Sequence, residues 1–236
     1  MFDALFTTTT EYKKLSHALS GKGACALFGL PASGRAQMYA ALCRQLDKPL
    51  CIVTPGEAEA TRFAADLNTL GIPAAVFPAR DYVLRPIEGT AREYEYRRLA
   101  VLGELVGGRL RAVAVPAEAL TQFTTPKEDF CANTRTLHAG DTLLRDDLLA
   151  ALFGAGYPRR AQFSVRGDIV DIFAPDQKMP VRMEFWGDEI DTLHTFDLTT
   201  QRREDAIDKF YLSPAREVLF GKPADAAEQL RAFLAK

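Results

Sequence analysis

The 236 residues predict an α/β protein, in which a parallel sheet covered by helices is joined to a smaller α+β unit. Three features carry this prediction. Short apolar runs alternate with helical patterns through the first half, which is the rhythm of βα units. Near residue 132 that rhythm gives way to consecutive strand patterns joined by turn residues. Apolar residues make up 47% of the chain, enough for real cores, and no run approaches the ~18–20 apolar residues of a membrane span.

GACALFGL (23–30) reads as a buried strand, and GRAQMYAALCRQL (34–46) as a helix whose Met38, Leu42 and Leu46 recur at four-residue spacing. PLCIVT (49–54) is a second strand. Thr54-Pro55-Gly56-Glu57 then starts a helix, with Thr54 as the capping residue and proline at the first position, that ends at Gly71. AAVFP (74–78) is a third strand. TAREYEYRRLAVLGELVGG (90–108) is a longer helix closed by a glycine pair; on it Tyr94, Leu99 and Leu102 pack while Arg97 and Arg98 are solvated. RLRAVAV (109–115) is a fourth strand, leading into PAEALTQF. Apolar strands separated by helices pair in parallel.

In the second half, TRTLHAGD (134–141) is strand-like, and LLRDDLLAALFGAG (143–156) is an amphipathic helix with glycine at its end. Four strands follow: QFSVRGDIVDIF (162–173), MPVRMEFWG (179–187), DEIDTLHTFD (188–197) and AIDKFYLSP (206–214). Gly187-Asp188 is a two-residue hairpin of the glycine-first kind, and DLTTQRRED (197–205) makes the next turn. The expected domains are therefore residues 1–132, 133–212 and a return segment, 213–236. The last ends in a helix whose Leu230, Phe233 and Leu234 have no domain of their own, so truncation is expected there.

Twenty-nine basic residues against 31 acidic ones leave a net charge of −2, which argues against a chain dominated by non-specific phosphate contacts. The N-terminus, MFDALFTTTTEYKK, lacks a basic region followed by an apolar run, so a cytoplasmic location is expected. Cys25, Cys43, Cys51 and Cys131 form no C-x-x-C pair, and His17, His138 and His194 are scattered. Buried, reduced thiols and no metal are the expectation. Glu184, Asp188, Glu189 and Asp191 crowd one hairpin but read as solvated edge charges.

GLPASGRA (29–36) has the glycine spacing of a phosphate-binding loop, G-x-x-x-x-G-K-[ST], with Gly29 and Gly34 in place. Arg35 and Ala36 stand where lysine and a hydroxyl belong. Alanine offers no oxygen to magnesium, and a planar guanidinium is a poor stand-in for a point charge in a tight cradle. RLRAVAVPAEAL supplies Pro116 where a metal-ordering acid is required. No nucleotide hydrolysis and no cofactor are expected, and the two glycines read as shaping a strand-to-helix turn.

FSVRGDIVDIF, then PVRMEFWGDEIDTLHTFDLTTQR and LSPAREVLF, resemble the N-terminal end of the bacterial transcription-repair coupling factors, which are similar in turn to the excision-repair protein UvrB. FPARDYVLRPIEGTAREYEYRRLAVLGEL and AVPAEALTQF are collinear with the same family. The resemblance implies that residues 1–132 form a degenerate helicase-like domain of the RecA/P-loop type, like UvrB domain 1a. It implies a UvrA-binding domain like UvrB domain 2 in residues 133–212, and the start of a domain 1b-like segment in 213–236. UvrA is the implied partner; RNA polymerase and duplex DNA are implied only for parts of the longer family protein. Between Tyr157 and Phe163 stands only PRRAQ, shorter than the family's spacing, so the family's arginine after the tyrosine is Arg159 or Arg160.

Alternation along 163–169 places Phe163, Val165 and Ile169 on one face and Ser164, Arg166 and Asp168 on the other. Arg166 then projects from a strand, with Arg159 and Arg160 upstream, as a basic cluster that the resemblance assigns to UvrA. Arginine suits such an anchor because its fork pairs bidentately with carboxylates. Gly167 marks a bulge or a close approach. Phe173 is either an apolar contact for the partner or a core residue, and Arg166 either a docking residue or the partner of Glu184 or Asp188. The expected function is recruitment without catalysis. A weak DNA-stimulated ATPase and a direct DNA-binding module are the alternatives, EYEYRR (93–98) being the aromatic-basic run that prompts the latter.

Overall fold

The computed structural model describes residues 7–21, 24–80, 90–157 and 162–217. It divides into two units, Met1–Leu84 with Glu104–Gln122 and Arg85–Gly103 with Phe123–Lys236. Chain order runs α1 (Thr10–Ser20), α2 (Ala32–Gln45), β1 (Leu50–Thr54), α3 (Glu57–Thr69), β2 (Ala74–Val76), α4 (Thr90–Val106), β3 (Ala112–Pro116), α5 (Ala117–Leu120) and α6 (Lys127–Ala132). It continues β4 (Arg135–His138), α7 (Arg145–Gly154), β5 (Phe163–Arg166), β6 (Ile169–Ile172), β7 (Val181–Trp186), β8 (Glu189–Phe196), β9 (Arg203–Ala206) and β10 (Lys209–Leu212). No helix among the described residues is long and apolar enough to cross a membrane.

In the first unit the apolar strands pair in parallel, as their spacing predicts, in the order β1-β3-β2 with Leu50 opposite Ala112 and Ala74 opposite the same residue. Ala36, Ala40 and Cys43 of α2 meet Ile52, Phe63, Leu67 and Ala112 in its core. The alanines let the helix approach the sheet closely, and burial raises the pKa of the Cys43 thiol, as fits a packing residue; Cys25, Cys51 and Cys131 are exposed, against the expectation of buried thiols. One expected strand is missing. Residues 24–30 lie outside any strand, with Phe28 89% exposed. An apolar run becomes a buried strand only where a neighbour offers its edge, and the sheet is assembled without this one. Thr54 does not cap α3 either: it ends β1, donates to the Gly56 carbonyl at 2.9 Å, and leaves Gly56 at the cap.

In the second unit β5-β6-β7-β8-β9 form one antiparallel sheet, and β10 pairs with β4 in a second, Phe210 opposite Leu137. Leu148 and Leu152 of α7 pack on Val170, Ile172, Met183, Ile190 and Leu193, the inward residues of the sheet. The stretch 162–173 is a hairpin and not the single strand expected, because Gly167-Asp168 reverses the chain between Arg166 and Ile169. Part of the expected turn 197–205 is also β, since Arg203–Ala206 adds an edge strand to β8.

Residues 213–217 return against this unit. The Ala215 amide donates to the Ala155 carbonyl at 2.8 Å. The buried Tyr157 hydroxyl donates to the Ser213 carbonyl at 2.7 Å, and burial, with Asp176 nearby, raises its pKa well above the ordinary phenol value. The expectation that Arg98 is solvated is wrong. Its side chain is 0% exposed and holds the Glu217 carboxylate, itself 1% exposed, with Nε to both oxygens (3.0 and 2.9 Å) and Nη2 to Oε1 (2.7 Å). The partner lies 119 positions downstream, out of reach of any helical periodicity.

Candidate functional site

Gly167 closes the β5–β6 hairpin with φ +59, the left-handed conformation this two-residue turn needs at its first position. Arg145 of α7 fixes the turn from outside: Nη1 donates to the Gly167 carbonyl at 2.7 Å and lies 3.6 Å from the Asp168 carboxylate. Arg166 is the last residue of β5 and is exposed. The acids around it are already engaged. Asp171 takes a bidentate pair from Arg182 at 2.7 and 2.9 Å, and Glu184 takes Arg203 and the Thr192 hydroxyl. The Arg166 side chain makes no hydrogen bond or ion pair among the described residues, and neither Glu184 nor Asp188 pairs with it. Glu184 is thus an ion-pair partner, not the solvated edge charge expected. Arg159 and Arg160 lie outside the described residues.

Beside Arg166 a cavity of about 190 Å3 opens against the sheet, lined by Gln162, Ser164, Phe173, Phe196 and Leu198 among others. Phe173 is half-buried on its wall, and its amide donates to the Gln162 carbonyl at 2.7 Å. The guanidinium of Arg182 sits 4.5 Å over the Phe196 ring and reaches Gln201 at 3.1 Å. The rim is a turn built on Asp197, whose Oδ1 accepts from the amides of Thr199 and Thr200 (3.0 and 2.7 Å) and from the Thr200 hydroxyl (3.0 Å). Those donors, the Thr200 amide first, hold the Asp197 carboxyl below its ordinary pKa, so the rim is ordered by a charge-assisted turn at neutral pH. Phe196, Leu198 and Gln201 come to the site from three strands away in the sheet order. Only the Asp-Leu-Thr-Thr turn signal marked their position in sequence.

Gly29, Gly34, Arg35 and Ala36 lie where the chain enters α2. The chain turns at Gly29 (φ +86), passes Leu30 and Pro31, and enters α2 at Ala32. Gly34 and Arg35 therefore belong to the first helical turn and not to a loop arching ahead of it. A Cβ on Gly34 would stand 3.3 Å from Cδ2 of Leu30, so the residue permits close packing. Arg35 runs toward α3, with Nη1 3.8 Å from Glu59 Oε1 and its guanidinium 5.8 Å from the Phe63 ring. Ala36 is buried in the core. Among the described residues no group of three or more His, Cys, Asp or Glu is placed to hold a metal.

Residues 136–218 contain the Arg166 hairpin and every residue lining the cavity, and they match the family described as the UvrB interaction domain. Over most of its length the chain is also similar to transcription-repair coupling factors. It is 26% identical over 212 residues to that of Bacillus subtilis (strain 168), covering 86% of this chain and 18% of the relative. Identity is 34% over 208 residues to that of Myxococcus xanthus, covering 81% and 17%. With that of Mycobacterium bovis (strain ATCC BAA-935 / AF2122/97) it is 36% over 219 residues, covering 86% and 18%. The chain thus spans less than a fifth of the length of these relatives, and the family resemblance read from FSVRGDIVDIF and the segments after it holds.

Proposed function

We propose that this chain is a non-catalytic recruitment module of transcription-coupled nucleotide excision repair, acting in the cytoplasm, which docks UvrA on the Arg166 face of its UvrB interaction segment. One observation carries the reading: among the described residues the Arg166 side chain has no carboxylate partner, whereas Arg145, Arg182 and Arg203 around this sheet each lie against one, and it stands beside a largely apolar cavity. An exposed arginine next to an aromatic-lined pocket, desolvated when a partner covers it, is the kind of group on which interface energy concentrates. Contacts with RNA polymerase and duplex DNA belong, on this reading, to other parts of the longer relatives. Arg166→Ala is expected to weaken UvrA binding by about 2 kcal/mol or more, roughly thirtyfold. Titration calorimetry with purified UvrA measures it, and an unchanged affinity would remove Arg166 from the interface.

The first unit serves this reading as scaffold: a degenerate helicase-like domain whose loop residues have been turned to packing. Arg35 runs toward Glu59 and Phe63, and Ala36 lies in the core with no oxygen to offer a magnesium ion. Calorimetric titration with magnesium ATP is expected to give no binding heat, with no phosphate released on incubation. Saturable heat that disappears in Arg35→Ala would restore the enzymatic reading.

A further inference from the structure

On the face of the five-stranded sheet turned away from its core, one large aromatic side chain stands in water. Met183 and Phe185 of β7 point inward with Val170 of β6 and Leu193 of β8, so alternation puts Arg182, Glu184 and Trp186 on the outer face. The register carries that face across to the edge strand: Glu184 lies opposite Ile169, and Ile169 opposite Arg166. Trp186 is two residues beyond Glu184, at the same end of the sheet as the Gly167 and Gly187 turns. By strand spacing its Cα lies on the order of 12 Å from that of Arg166. The Trp186 side chain is 82% exposed and makes no hydrogen bond, ring contact or cation contact among the described residues. Held that way it adds little to the fold, since its apolar area stays in water. Its border is acidic. Glu189, directly opposite it, is exposed, as are Asp188 and Asp191, and none of the three has an ion-pair partner among the described residues.

We infer that Trp186 is a second anchor of the docking face, covered by an apolar surface of UvrA that is bordered by basic side chains. Continuity carries the choice of partner. Trp186 and Arg166 share one sheet face inside 136–218, the segment that matches the UvrB interaction domain. A standard interface takes ~800 Å2 from each partner, and a patch of that area centred on Arg166 reaches about 16 Å in every direction, past Trp186. The basic border follows from Glu189, which is covered together with Trp186 and gives up water at a cost unless a cation meets it. A second copy of this chain, meeting turn to turn, would instead bring two sets of acids together. Tryptophan and arginine are also the residue types on which interface energy most often concentrates, inside a rim of polar groups that excludes water. This inference rests on the docking reading above and adds to it a residue that the Arg166 argument does not require.

Trp186 is the only tryptophan of the chain, so a fluorinated tryptophan incorporated throughout gives one fluorine NMR resonance that reports this side chain alone. In the free chain that resonance should show the solvent isotope shift of an indole in water. Saturating, unlabelled UvrA should move it and abolish the isotope shift. Trp186→Ala should leave the urea midpoint of the free chain unchanged while weakening UvrA binding roughly thirtyfold, and Trp186→Phe should recover part of that loss. A merely structural tryptophan would lower the midpoint as well. Glu189→Lys should weaken binding about tenfold at low salt, with the difference shrinking as salt is added. If Arg166→Ala weakens binding but Trp186→Ala does not, the second anchor is wrong while the docking face stands. The same holds if the resonance keeps its isotope shift in the complex, or if Glu189→Lys binds as the parent does. A resonance that moves with the concentration of the chain alone would place a second copy on Trp186 and overturn the inference. If UvrA does not bind the parent chain at all, the docking reading fails first and takes the second anchor with it.

Discussion

Arg98→Met is expected to cost the second unit about 3–5 kcal/mol, a large part of the stability of a domain this size. The guanidinium and the Glu217 carboxylate are both withdrawn from water and meet through three short contacts, Nε to Oε1 and Oε2 and Nη2 to Oε1. Removing the arginine leaves a carboxylate buried with no counter-charge, and that penalty is what the measurement reads. The same glutamate is held through its backbone. Its amide donates to Glu95 Oε1 at 2.9 Å, and the Thr125 hydroxyl donates to its carbonyl. Helix α4, the segment before α6 and the return at 217 are thus tied at one point. Glu217→Gln should be damaging for the mirror-image reason, a guanidinium without its anion. The double variant Arg98→Met/Glu217→Leu should recover most of the loss, because a packed apolar pair of similar volume often equals a buried ion pair. Urea unfolding of the four proteins tests this. A single variant within about 0.5 kcal/mol of the parent, the range of ordinary surface substitutions, would mean that the pair contributes nothing.

How much of this was legible in the chain differs from residue to residue. Parallel pairing of β1, β2 and β3 followed from apolar runs separated by helices, since such runs can be buried on both faces only in a covered sheet. The Gly187-Asp188 turn was legible because the strand alternation stops on either side of it. An identical Gly-Asp pair at 167–168 was not, because apolar residues continue across it in a spacing compatible with one strand; the turn there shows only once Arg145 is seen closing it. Arg98 was misread because helical spacing reports which face is apolar and is blind to a carboxylate arriving from far along the chain. Of the docking site, Arg166 and Phe173 were legible as part of a family-like strand. Gln162, Phe196 and Leu198 were not, since their common cavity exists only after the sheet brings β5 and the end of β8 together around it.

Gly156→Ala is the other substitution expected to have a large effect, and a second glycine separates its causes. Gly156 follows α7 with φ +86, where an L side chain costs roughly 1–2 kcal/mol in any surroundings. Gly140, at φ +90, has the same backbone demand but open space where a Cβ would go. A Cβ on Gly156 would instead lie 2.4 Å from Cγ and 2.8 Å from Cβ of Arg216. Rotating the arginine can move Cγ but not Cβ, so the backbone of the return segment has to shift. That segment is pinned just before the contact to the two residues flanking Gly156, by the Ala215 amide on the Ala155 carbonyl and by the Tyr157 hydroxyl on the Ser213 carbonyl. Gly140→Ala should therefore lose only the conformational term, whereas Gly156→Ala should lose about 2–4 kcal/mol by adding overpacking to it. Arg216→Gly, which removes the obstructing Cβ, should bring Gly156→Ala back to the level of Gly140→Ala when both are compared by urea unfolding in the same Arg216→Gly background. Equal losses for the two alanine variants in the parent would show that the glycine at 156 answers only to its φ angle, and that the close approach of the return segment does not require it.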